Sequence, residues 1–120
     1  MNRTIRMALT KGRIEKGAVA LLEAAGYGCA GLRDKGRRLI VPTDGGEIDV
    51  VFAKAADVIT YVETGACDIG IVGKDTILEN GSSFYEMADL GIGRCRMVLA
   101  APKGSDFFSG YAARRVASKY

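Results

Sequence analysis

The chain has 120 residues, of which 48% are apolar, and its 17 basic and 14 acidic side chains leave a net charge of +3. That length supports one globular domain, or one domain and the beginning of another, with a core that buries roughly two-thirds of the unfolded surface. The charge excess is too small to argue for nucleic acid, and a chain without histidine has neither the usual zinc sites nor any Ser-His or Cys-His catalysis of its own. Three cysteines, Cys29, Cys67 and Cys95, are odd in number and fit no metal or C-x-x-C spacing. Met1 to Arg6 lacks the apolar region of a signal peptide, and no apolar run reaches the length of a membrane span. Reduced thiols without an export signal point to the cytoplasm.

Ile5 to Leu9 reads as a short apolar strand and Thr10-Lys11-Gly12-Arg13 as a turn. Ile14, Ala18, Leu21, Leu22 and Ala25 then recur at helical spacing, with Gly26 as a natural stop. Gly28 to Lys35 is Gly-rich and polar, the composition of a loop. Arg37 to Pro42 and Glu47 to Ala53 read as two strands; Thr43-Asp44-Gly45-Gly46 between them makes a hairpin the simplest pairing. Asp57, Val58, Tyr61 and Val62 begin a second helix, with Asp57 as its cap and Gly65 as its end. Asp68 to Gly73 reads as a strand running into a short helix through Thr76 to Glu79, closed by Asn80-Gly81. Arg96 to Ala101 is an apolar strand stopped by Pro102, and Tyr111 to Tyr120 a basic helix with no stop signal. That unfinished helix suggests a chain cut off inside a second lobe. Strands alternating with helices over short connections predict an α/β fold, a mainly parallel sheet with helices on both faces. Ligands of such sheets bind beyond the carboxyl ends of the strands.

Two strand-to-helix turns meet at that edge. Thr10 to Arg13 offers two cations, a hydroxyl and helix-start N–H groups, but the same residues also read as a solvated basic turn. In Asp68-Ile69-Gly70-Ile71-Val72-Gly73-Lys74-Asp75, Gly70 and Gly73 remove side chains where something must come close, and Lys74 adds a cation at a helix start. Arg37, Arg38 and Lys54 read either as charges that protect strand edges or as phosphate cations. Asp68 opens a strand and suits a structural hydrogen bond; Asp89 lies between apolar segments and could meet a ligand donor. Tyr61 reads as core, and Cys67 and Cys95 as small buried apolar groups.

Four stretches carry a family resemblance: Leu9 to Arg13, Asp57 to Ala66, Asp68 to Asp75, and Asp89-Leu90-Gly91-Ile92-Gly93-Arg94-Cys95-Arg96. Each is weak alone, but in this order they closely resemble the short form of ATP phosphoribosyltransferase over nearly the whole chain. The resemblance implies a two-lobed fold like type II periplasmic binding proteins, with residues 1–93 as the first, ATP-side lobe and 94–120 as a crossover strand and the start of an incomplete second lobe. It implies transfer of the 5-phosphoribosyl group from phosphoribosyl diphosphate to N1 of ATP, with Mg²⁺ on the substrate phosphates, in the first step of histidine biosynthesis. It also implies a regulatory subunit resembling histidyl-tRNA synthetase and a homo- and hetero-oligomer. Arg37 and Lys54 match positions where the family stabilises the leaving group. Lys11, Gly12 and Arg13 fall where it binds substrate phosphates, and Asp68, Gly70, Val72, Gly73, Lys74 and Asp89 would line the ATP side. Lys54 stands where many relatives carry Arg, and Ile59 where Pro is common. The family's ribose-phosphate loop would lie beyond Tyr120, so the 120 residues alone are expected to show little turnover. The alternative is a non-catalytic nucleotide- or anion-binding module on the same fold.

Overall fold

The computed structural model describes residues 3–80, 84–110 and 113–120. Its elements are β1 (Ile5–Thr10), α1 (Arg13–Ala24), α2 (Ala30–Arg33), β2 (Ile40–Pro42), β3 (Ile48–Ala53), α3 (Ala55–Glu63), β4 (Ile69–Ile71) and α4 (Lys74–Asn80). The strands form one sheet in the order β2-β3-β1-β4. β1 runs parallel to β3 and to β4, while β2 and β3 form the antiparallel hairpin expected from the turn between them.

Alternation along the strands divides the core in two. Met7 and Leu9 of β1 and Ile48, Val50 and Phe52 of β3 face one side, where Ala18, Val19 and Leu22 of α1 and Leu32 of α2 cover them. Ala8 and Ala53 face the other side, against Val58 of α3 and Cys67, with Val51, Tyr61 and Val72 packed around them. Helices therefore lie on both faces of a mostly parallel α/β sheet. The buried stripe of α1 is centred on Ala18, Val19 and Leu22, so Leu21 is left 38% exposed and Ala25 lies at the surface. Gly26, with φ of 100°, ends α1 in the left-handed conformation that glycine adopts most easily. The N–H groups of Gly26 and Tyr27 return to the carbonyls of Glu23 and Leu22, satisfying the last turn. α3 ends likewise at Gly65, whose N–H donates to the Val62 carbonyl.

Five expectations need correction. The stretch 28–35 contains the single-turn helix α2, because Leu32 is drawn into the core and Gly31 lets the turn lie against Val41. Asp57 does not cap α3: Lys54 occupies the N-cap and Asp57 sits in the first turn, where its charge suits the helix dipole. Arg96 to Ala101 forms no strand; Met97, Val98 and Leu99 are 76%, 68% and 64% exposed, and a strand needs a partner ladder to form. Residues 113–120 are not helical, as an isolated helix of about ten residues is marginal in water without an apolar surface to cover. Tyr111, where that helix was expected to begin, and Gly81 at the end of α4 lie outside the described residues. Cys29 and Cys67 are buried, whereas Cys95 is exposed, unlike the buried group expected there.

Candidate functional site

The parallel register determines what reaches the carboxyl edge. Thr10 pairs with Ala53 and Leu9 with Ile71, so β1, β3 and β4 end side by side. The ladder continues one step past β1, where the Lys11 N–H donates to the Ala53 carbonyl at 3.1 Å. Lys11 and Lys54 thus follow neighbouring strand ends directly. Thr10 Oγ1 donates to the Ile71 carbonyl at 3.1 Å and straps β4 to β1 at the same edge. The hydroxyl noted in the sequence is engaged by the backbone. Across the hairpin, the Phe52 N–H donates to the Leu39 carbonyl at 2.8 Å, and Arg37 precedes Leu39 by two residues, which brings it to this edge as well.

After β1 the chain turns into α1 on one face, and after β3 it turns into α3 on the other. Adjacent strands whose connections leave to opposite faces open a crevice between their carboxyl ends, the usual ligand position on open α/β sheets. Both helices start there without a side-chain cap. α1 begins at Gly12, whose φ of 100° and ψ of −130° belong to a region that a residue with a Cβ rarely enters. A Cβ built on Gly12 would meet no atom within 4 Å, so the turn faces open space. Arg13 is the first residue of α1 and Lys54 the N-cap of α3. Lys11, Arg13, Arg37 and Lys54 are exposed, and none has an ion-pair partner among the described residues. Four unpaired cations and two helix starts with unsatisfied N–H groups make a strong attractor for a polyanion.

The remaining candidates divide. Val72 and Gly73 follow β4 at the same edge; Val72 packs into the second core cluster, which leaves its backbone to line the crevice. Lys74 opens α4 but is ion-paired with Glu86. Asp75, beside it, accepts a hydrogen bond from the Tyr120 hydroxyl; that bond, helped by backbone N–H groups, holds its carboxyl below the usual range. Ile14 stands within 4 Å of where a Cβ on Gly73 or Gly93 would lie, so the chain after Asp89 runs close to the edge. The Asp89 carboxylate accepts from the Gly91 N–H at 2.9 Å within its own turn.

Gly70 and Asp68 serve other ends. A Cβ on Gly70 would lie 2.9 Å from both Val58 Cγ1 and Val62 Cγ2, so the close approach there is that of α3 to β4. Asp68 precedes β4 at the amino edge. It accepts from the Arg6 N–H at 2.9 Å and pairs with Arg3 at 2.5 Å, and these, in that order, hold its carboxyl below the usual range. The structure does not bring Asp68 to Lys11, Arg13 or Lys54. Glu86 as the partner of Lys74 carries no local sequence signal, because the contact spans 12 positions and crosses the end of α4.

An open, mostly parallel α/β sheet with free cations and uncapped helix starts at a topological switch point is the class that fold and edge define. A family model described as ATP phosphoribosyltransferase matches residues 54–120. ATP phosphoribosyltransferase of Clostridium kluyveri is 54% identical over 118 residues, covering 98% of this chain and 54% of the relative. The proteins of that name from Clostridium acetobutylicum and Bacillus mycoides are 51% and 45% identical, with 55% and 56% of their lengths covered. The chain belongs to the ATP phosphoribosyltransferase family. It spans about half the length of the relatives it matches.

Proposed function

We propose that the protein carrying this chain transfers the 5-phosphoribosyl group from phosphoribosyl diphosphate to N1 of ATP and releases diphosphate, the first step of histidine biosynthesis. Membership of the family supports the reaction. The observation that supports the chemistry is the strand register: β1 on β3 and β4 brings Lys11, Arg13 and Lys54, which follow the strand ends, to one edge, and the antiparallel β2–β3 hairpin is entered from Arg37 on the same side. In this reaction a bond forms between the adenine N1 and C1 of the ribose. The C1–oxygen bond breaks, and its electron pair leaves on diphosphate. The nucleophile belongs to the substrate and the leaving group is an anion, so the protein's part is alignment and charge stabilisation. Arg37 and Lys54 are assigned to the departing diphosphate, Lys11, Gly12 and Arg13 to substrate phosphates, and Val72 to Lys74, with Asp89, to the ATP side. Asp68 and Gly70 are assigned to the fold.

The free side chains at this edge are cations and form no donor set for a divalent ion, and no group of three or more acidic or cysteine side chains among the described residues could hold one. Mg²⁺ would come on the phosphate oxygens of the substrates, and no residue here is assigned to it. A two-lobed fold with the first lobe in residues 1–93, a cytoplasmic enzyme, and oligomers with a regulatory subunit resembling histidyl-tRNA synthetase complete the proposal. No helix among the described residues is long and apolar enough to cross a membrane. The test incubates the full-length protein with ATP, phosphoribosyl diphosphate, Mg²⁺ and the partner subunit. Phosphoribosyl-ATP should form, and Lys54→Ala should slow it by about tenfold or more if a charge-assisted contact to the leaving group is lost. ATP binding without transfer would replace the enzyme with a nucleotide-binding module.

A further inference from the structure

Arg37 and Arg38 are neighbours of the same type, yet the fold treats them differently. Arg38 is consumed by the backbone: its Nε donates to the Lys35 carbonyl at 3.0 Å, and its Nη2 to the carbonyls of Asp34 at 3.0 Å and Gly31 at 3.3 Å. The Arg38 N–H also donates to the Lys35 carbonyl at 3.1 Å. Arg37, held between Gly36 and Arg38, makes none of these bonds. The turn that presents it therefore hangs on Lys35.

Lys35 is itself anchored on two elements that border the crevice. Its ammonium lies 3.1 Å from Glu15 Oε2, in the first turn of α1, and 4.8 Å from the centroid of the Phe52 ring, next to the last residue of β3. The Lys35 and Glu15 side chains are only 23% and 21% exposed. The other three ion pairs among the described residues have at least one partner more than half exposed. Exposed pairs contribute close to nothing, whereas a pair shielded this far and stacked on an aromatic face can hold a turn in place. The Lys35 charge is neutralised by Glu15, so it adds little attraction of its own.

We propose that Lys35, locked by Glu15 and Phe52, is a positioning residue that sets Arg37 at the carboxyl edge, so that the edge's affinity for a polyphosphate depends on the Lys35–Glu15 pair. The inference rests on the polyphosphate reading of that edge. Inorganic tripolyphosphate titrated into the full-length protein at low salt, followed by calorimetry, tests it, with circular dichroism and thermal melting as checks on folding. Arg37→Ala should weaken binding about tenfold, the worth of one charge-assisted contact. Glu15→Met removes a negative charge, so a simple field effect would tighten anion binding; a positioning role weakens it several-fold, roughly half of the Arg37 effect on a logarithmic scale. Lys35→Met should weaken it similarly, Lys35→Arg should restore it to within about twofold, and neither Met variant should weaken binding further once Arg37 is Ala. Tighter binding by Glu15→Met, or Lys35→Met and Arg37→Ala effects that multiply independently, overturns the positioning role alone. An Arg37→Ala variant that binds as well as the parent overturns the polyphosphate reading and the positioning role with it.

Discussion

Gly70 is the residue at which a single methyl group tests the packing that holds β4 in place. Alanine there would bring its Cβ to 2.9 Å from Val58 Cγ1 and from Val62 Cγ2. Ordinary contact begins near 3.4 Å, so strand and helix must part by about half an ångström. Both obstructing atoms belong to β-branched side chains of α3, whose rotamers are restricted in a helix, so they cannot simply swing aside. Overpacking of this kind costs about 1–3 kcal/mol. β4 has three residues and pairs only with β1 among the described strands, so it can yield outward, which argues for the lower part of that range, about 1–2 kcal/mol. In a domain of this size that corresponds to a fall in Tm of roughly 4–8 °C. Thermal melting and urea unfolding of Gly70→Ala measure it. Val62→Ala removes one obstructing atom, so the double variant should be more stable than the sum of the single effects by about 0.5–1 kcal/mol. A neutral or stabilised Gly70→Ala, or strictly additive effects, would refute the reasoning and leave Gly70 explained by something other than α3.

Asp68 has its folded-state pKa lowered by the Arg6 N–H and the Arg3 guanidinium, so its contribution is complete above the unfolded value of about 3.9 and lost as pH falls through the lower folded value. Urea midpoints should therefore fall more steeply below about pH 4 in the parent than in Asp68→Asn; parallel curves would remove Asp68 from the acid response. Burial pushes the Cys29 and Cys67 thiols up, while Cys95 is exposed, so a native thiol titration should show a single fast group that disappears in Cys95→Ser. A fast group that persists in Cys95→Ser would mean that one of the buried positions opens readily. Lys54→Arg should tighten tripolyphosphate binding by roughly fivefold, because a planar guanidinium can make two contacts where an ammonium makes one. Unchanged or weaker binding by Lys54→Arg would show that Lys54 meets the anion, if at all, only as a diffuse charge.

The sheet was legible because its signals are local. The apolar run of β1, the helical spacing after it, the Thr43 to Gly46 turn and the Gly26 and Gly65 stops each act within a few residues, and the structure uses all of them. What was not legible depends on partners distant in sequence. Four residues cannot declare themselves a helix; α2 exists because Leu32 reaches the core. Arg96 to Ala101 has the composition of a strand but finds no strand to join among the described residues. Asp68 to Lys74 illustrates a different trap. A contiguous motif that crosses a strand has its two halves at opposite edges of the sheet, separated by roughly 10 Å for three strand residues. Lys74 and Asp68 look like one cluster in the sequence, yet one faces the carboxyl edge and the other is tied to Arg3 and Arg6 at the amino edge.

Cations show most clearly what folding adds to a basic sequence. Arg38, Lys35 and Lys74 look as available as Arg37, Lys54 and Lys11, but the fold spends the first three on carbonyls and carboxylates. The unspent ones share an edge, where their mutual repulsion is tolerable only because they are exposed and screened. Such a cluster contributes nothing to holding the sheet together, and spreading the same charges over the surface would favour the folded state. The register of three strands nevertheless places Lys11 and Lys54 at one edge, beside two helix starts without side-chain caps. A polyanion there would remove the repulsion, satisfy the free N–H groups and meet its charge complement at once. That is the physical argument behind the proposal that this edge serves phosphate-bearing ligands rather than the stability of the chain.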